Sequence, residues 1–106
     1  MGRKTRPRKI VDDETGFWCA GGVGILREEV WVDESEQVIR YNLAFVLAHL
    51  SSFDHGRMLG FDNAHGVHER HFMGHVESVE FNGYPTTARR FFGEVDALRK
   101  GYKEKQ

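Results

Sequence analysis

The sequence predicts an α+β fold: an antiparallel sheet of four to five strands with a C-terminal amphipathic helix packed on one face. Three observations predict it. Apolar residues recur at every second position between Gln37 and Leu50, with Ile39, Tyr41, Leu43, Phe45 and Leu47 on one face. Turn chemistry separates the apolar runs, at Asp54-His55-Gly56 and at Asn82-Gly83. Ala88, Phe91, Phe92, Val95 and Leu98 then recur at spacings of three and four. Successive strands followed by one helix favour pairing between sequence neighbours, with the helix closing one side.

Residues 1–9 carry no hydrophobic pattern and read as a flexible basic arm, leaving 10–106 as a single domain. Phe17-Trp18-Cys19-Ala20 reads as a short strand or packed loop. Gly21, Gly22 and Gly24 lack the endings of phosphate-binding loops and read as a flexible turn. Glu28 to Asp33 is a strand closed by the polar turn Asp33-Glu34-Ser35-Glu36. The long central strand follows, with Arg40 and Asn42 opening its second face. Its partner runs from Arg57 to Ala64, with Leu59 and Phe61 facing the core and Gly60 and Asp62 facing away, so that Arg40 and Asp62 can share the second face. Val76 to Phe81 resembles a further strand. The helix spans about 86–100, with Gly101 placed to stop it and Arg99 and Lys100 suiting its C-terminal dipole.

Composition narrows the function classes. The chain has 106 residues, 40% hydrophobic and 29% charged, which suits one soluble folded domain. Its longest apolar run, Leu43 to Leu50, is broken by His49 and too short to span a bilayer, so no membrane association is expected. Cys19 is alone, which excludes an intrachain disulfide and a cysteine zinc cluster; with no secretory signal visible, a cytoplasmic location is the expectation. The net charge is −1, yet Arg3, Lys4, Arg6, Arg8 and Lys9 all lie in the first nine residues. Without them, 10 basic residues face 16 acidic ones, a net of −6, so the whole surface is not a nucleic-acid footprint.

Half of the six histidines fall within seven residues of the string Gly60-Phe61-Asp62-Asn63-Ala64-His65-Gly66-Val67-His68-Glu69-Arg70-His71. Packing alone does not require such a gathering, because each imidazole nitrogen needs a partner. Three readings fit. In the first, the histidines perform acid–base catalysis on a phosphodiester, since an unperturbed pKa of about 6.5 lets one ring accept a proton while another donates. Arg70 or Arg40 would then stabilise phosphate charge, and Asp62 would orient a neighbouring ring. In an extended chain His68 and Arg70 share a face while His71 takes the other, with His65 entering from the turn. In the second, His65, His68 and His71 ligate a metal, against which Gly66 and Val67 disfavour the helical turn that would gather them. In the third, Asp62, Asn63 and Gly66 form a turn that the histidines merely flank. His49 and His55 are isolated and read as satisfied edge or loop residues.

The string Phe61 to His71, preceded by two strands and followed by a strand and an amphipathic helix, resembles the TumE-type toxin family of bacterial toxin-antitoxin pairs over roughly residues 28–100. The family has an Asp-Asn-x-x-Gly turn leading into a His-x-Arg-His-like cluster. The resemblance implies a small cytoplasmic toxin, neutralised by a cognate helix-turn-helix antitoxin, with RNA as a target. Its polar cluster falls on Asp62, Asn63, His68, Arg70 and His71, with His65 as a further candidate.

Together these readings lead to a metal-independent ribonuclease toxin that needs no cofactor. Its expected catalytic residues are Asp62, His65, His68, Arg70 and His71, and its substrate-binding residues are Arg40 and Asn63. A homodimer is compatible with this reading. The alternatives are a non-catalytic module that binds protein or nucleic acid through the same face, and a metal-dependent hydrolase with histidine ligands.

Overall fold

The computed structural model describes residues 6–104. Among these residues the strands are β1 (Arg8–Cys19), β2 (Gly22–Val32), β3 (Val38–Val46), β4 (Arg57–Asp62), β5 (Glu69–Phe72) and β6 (His75–Ser78), followed by helix α1 (Tyr84–Glu104). They form one antiparallel sheet whose spatial order is the sequence order, and the helix packs on one face. The class and the helix placement are as expected. The sheet has six strands rather than four to five, because β1 is a full strand and the segment after the histidine turn contributes both β5 and β6.

β1 corrects the expected arm. Arg8 and Lys9 already belong to the sheet: Lys9 lies opposite Trp31 and its ammonium reaches Glu29 at 2.7 Å. Residues 1–5 of the expected arm lie outside the described residues. The glycines act as strand and turn residues. Ala20 and Gly21 make the β1–β2 turn, while Gly22 and Gly24 lie in β2, under the His49 ring and against Phe17 and Leu47.

Three register shifts decide which side chains face where. The first, between Lys9 and Val11, and the second, beside Trp31, keep Lys9, Trp31 and Arg40 in one row. The third lies in β4. Phe45 pairs with Leu59 but Val46 pairs with Arg57, so Met58 is the extra residue of a bulge. Arg57 is thereby turned away from the core.

The core lies between the sheet and α1. Tyr41, Leu43, Phe45 and Leu47 of the central segment meet Leu59 and Phe61 of β4 and Phe91 and Val95 of the helix, and all are essentially inaccessible. Phe61 and Phe91 meet edge to face at 6.3 Å. Gly101 does not end the helix. Tyr102 beyond it packs on the core, and this burial offsets the roughly 1 kcal/mol that glycine costs inside a helix. Among the described residues no helix is long and apolar enough to cross a membrane.

Candidate functional site

With the helix covering one side, strand alternation sends Asp62 of β4 and Glu69 and His71 of β5 to the open side. Asp62 lies opposite Glu69, and His71 lies opposite Gly60. The loop before β4 completes the group. Its residues Asp54, His55 and Gly56 all take left-handed backbone (φ 48°, 56° and 82°), unusual for the first two, and this turn brings the Asp54 carboxylate to Arg57.

Arg57 then spans the site. Its Nε donates to Asp54 Oδ2 at 2.7 Å and its Nη1 donates to Asp62 Oδ2 at 3.0 Å. It does so by lying across Gly60, where an added Cβ would stand 2.6 Å from its Cδ. His71 Nε2 is 3.1 Å from the same Asp62 oxygen and 3.9 Å from Glu69 Oε1, while His71 Nδ1 is 4.0 Å from Asp54 Oδ2. Asp62 is 7% exposed and His71 8%. The 3.1 Å contact does not meet hydrogen-bond geometry, which leaves Nε2 buried without a hydrogen-bond partner.

Beside this group lies a hollow of about 330 Å³. Arg27, Asn42, Ala44, Asp54, His55 and Arg57 line it. The rest of the open face is laced with ion pairs, Arg27 with Glu14 at 2.5 Å and Lys9 with Glu29 at 2.7 Å, and Asn42 Nδ2 donates to Glu29 at 2.9 Å. Burial acts to raise the Glu29 carboxyl, but the hydrogen bonds from Lys9 and Asn42 outweigh it and hold the group below its usual range.

The residues expected to act together are divided between two faces. His68 and Arg70 share a face, as extended geometry requires, but it is the helix side. The His68 ring stacks on Phe81 at 3.9 Å, and its Nδ1 is hydrogen-bonded to the Tyr41 hydroxyl at 2.8 Å. Burial pushes that hydroxyl up to about 12, helped by the charge of Asp62. Arg70 binds Glu94 of the helix, its Nε donating at 3.0 Å, and lies 3.9 Å from Glu77. His65 stands exposed at the rim, 3.6 Å from Glu69. Since His68 and His71 occupy opposite faces, the three-imidazole ligand set is not assembled.

Asn63 braces β3: its Oδ1 accepts from the Tyr41 N–H and its Nδ2 donates to the Ile39 carbonyl, both at 3.0 Å. Arg40 shares the open face with Asp62, but the residue opposite Asp62 is Asn42, and the Arg40 guanidinium lies 4.9 Å over the Trp31 ring. His49 is a satisfied edge residue, its Nε2 donating to the Cys19 carbonyl at 3.0 Å.

Sequence reasoning passed over Arg57, Asp54, His55 and Glu69. Glu69 was within reach, because the alternation that separates His71 from Arg70 also pairs it with Glu69. Arg57 was hidden by the bulge.

Chemically, the open face offers one imidazole held between carboxylates, a guanidinium bridging two of them, and an adjoining hollow. The ligand atoms of Asp62, Glu69 and His71 lie within 4.8 Å of one another, so these are the described residues able to hold a metal ion. In comparison with known proteins, the chain matches no family model, no curated protein and no solved structure.

Proposed function

We propose that this protein is the toxin of a toxin-antitoxin pair and that it cleaves RNA at the open face of its sheet, with His71 as the acid–base group. The observation that carries this reading is the buried contact of His71 with Asp62 at 3.1 Å, braced by Arg57 at 3.0 Å, beside a hollow lined by two arginines. Asp62, 3.1 Å away, balances the charge of the imidazole when it takes a proton. Arg27 and Arg57, at the wall of the hollow, meet the phosphate, since a guanidinium presents a planar fork of donors to phosphate oxygens. Asp54 and Asp62 hold Arg57 in place. The resemblance to TumE-type toxins supports the RNA target and a helix-turn-helix antitoxin as partner.

Incubation of the purified chain with RNA tests this reading. Cleavage by the wild type that falls at least about a hundredfold in His71→Ala, the usual range for a lost acid–base group, is the expected result. Intact RNA, or cleavage unchanged by the substitution, contradicts it.

A second reading is favoured by one observation. Trp18 (71% exposed) and Val23 (63% exposed) face each other across the β1–β2 hairpin and form an apolar end well suited to a protein partner. On this reading the chain binds without turnover. Co-expression with the neighbouring gene product then yields a stoichiometric complex that Trp18→Ser weakens, with no RNA cleavage by the free chain.

A further inference from the structure

The His71 Nε2 atom is buried and has no hydrogen-bond partner, although it points at two carboxylates. An orphaned buried nitrogen is costly, so its surroundings need a chemical explanation. A proton on Nε2 is poorly aligned with Asp62. A lone pair on Nε2 faces two anions.

The charges around it do not balance. Asp54, Asp62 and Glu69 supply three negative charges and Arg57 one positive charge, which leaves an excess of two when His71 is neutral. The neighbouring strands do not remove it. Asn42 and Ser78, opposite Asp62 and Glu69, are uncharged, and the exposed His65 is 3.6 Å from Glu69. The charges of Arg27 and Lys9 are offset by Glu14 and Glu29, which they face.

We infer that Asp62, Glu69 and His71 form a binding site for one first-row divalent cation, of the Mn²⁺ or Zn²⁺ class. Bonds of about 2.0–2.2 Å to one ion set its ligand atoms roughly 3–4.4 Å apart. The contacts of Nε2 with Asp62 and Glu69, at 3.1 and 3.9 Å, fall in that window. All three ligands sit on adjacent paired strands, so the site is preformed. One imidazole with two carboxylates suits borderline ions that accept both nitrogen and oxygen, and three protein ligands leave positions open for water or a phosphate oxygen. Arg57 shares Asp62 without displacing the ion, because a carboxylate oxygen has two lone pairs. The site departs from the metal-free chemistry expected from the sequence and from its three-histidine alternative. Its purpose, placing a cation where RNA phosphate arrives, rests on the RNA-directed reading above, with His71 then serving as a ligand rather than as the proton carrier; its existence does not.

Calorimetric titration of the untagged, chelator-treated full chain with MnCl₂ and with ZnCl₂ tests it. One ion of either kind is expected to bind per chain and to raise the melting temperature. Glu69→Gln, which keeps shape and hydrogen bonding, is expected to weaken binding at least tenfold, and His71→Ala to abolish it. His75→Ala, which removes an exposed imidazole at the start of β6, is expected to bind as wild type. No binding of either ion, or equal binding by wild type and Glu69→Gln, overturns the site. RNA cleavage that persists in EDTA overturns the ion's part in the reaction while leaving the RNA reading standing. Ion binding by a chain that leaves RNA intact supports the site and removes the RNA reading.

Discussion

Arg57 reaches Asp62 only because residue 60 is glycine. The guanidinium crosses the open face over Gly60, and an alanine Cβ there would stand 2.9 Å from Nη1 as well as 2.6 Å from Cδ. Gly60→Ala therefore pushes Arg57 aside and breaks its 3.0 Å contact with Asp62. The clash falls on a flexible side chain, so the cost is that of the lost hydrogen bond between charged groups, about 1.5–3 kcal/mol, and denaturant unfolding should show a loss in that range. RNA cleavage should fall with it.

Removing Arg57 costs more. Its side chain is 16% exposed and that of Asp62 9%, so Arg57→Ala strands two carboxylates in a poorly solvated place. Breaking one side of such a pair costs about 3–5 kcal/mol. Much of that loss should return in the double variant Arg57→Met, Asp62→Asn, because the stranded charge at Asp62 goes with the guanidinium. A double-mutant cycle measures the coupling, and strict additivity would mean that the two residues do not interact.

Tyr41 and Tyr84 set an alkaline limit on stability. Burial pushes Tyr41 up to about 12, and burial together with the hydrogen bond to Glu28 at 2.5 Å raises Tyr84 further. A tyrosine is neutral when protonated, and here the folded state holds the proton more tightly than the unfolded chain. The contribution is fully present below the ordinary value of 10 and is lost as pH rises from 10 through about 12. Urea midpoints should fall across that window. Tyr41→Phe should flatten the slope while costing about 1 kcal/mol at neutral pH through its lost hydrogen bond to His68.

On the helix side, Phe91 and Arg70 differ in kind. Phe91 is fully buried against Phe61, so Phe91→Ala should cost about 3–5 kcal/mol. Arg70 joins β5 to Glu94, and Arg70→Gln should cost about 1.5–3 kcal/mol, the range for a hydrogen bond to a charged group. Thermal melts should show both losses. RNA cleavage by folded Arg70→Gln should stay near the wild-type rate.

What was legible in the sequence, and what was not, follows from where each residue sits. The two-residue period of β3 set the helix-facing row from Tyr41 to Leu47, and the outward placing of Gly60 and Asp62 follows from the same rule. β1 escaped because it is an edge strand. Its middle, Asp12-Asp13-Glu14, is exposed on both faces, so no apolar alternation records it. The histidine string was conspicuous, but its members alternate too, and the alternation that turns His71 outward sends Arg70, with His68, to the face the helix covers. Arg57 was the least legible residue of the site. Strict alternation puts it with Leu59 and Phe61, and only the extra residue Met58 reverses it, a register fact that lies in the pairing with β3 rather than in β4 itself.

The central claim is that the open face, with His71 at its centre, does the chemistry, while His68 on the other face holds the fold. Parallel RNA-cleavage rates for wild type, His71→Ala and His68→Ala, each confirmed folded by its melt, test it most directly. The expected result is cleavage by the wild type, a loss of at least about a hundredfold in His71→Ala, and little change in His68→Ala. Equal loss in both variants, or loss in His68→Ala alone, would contradict it.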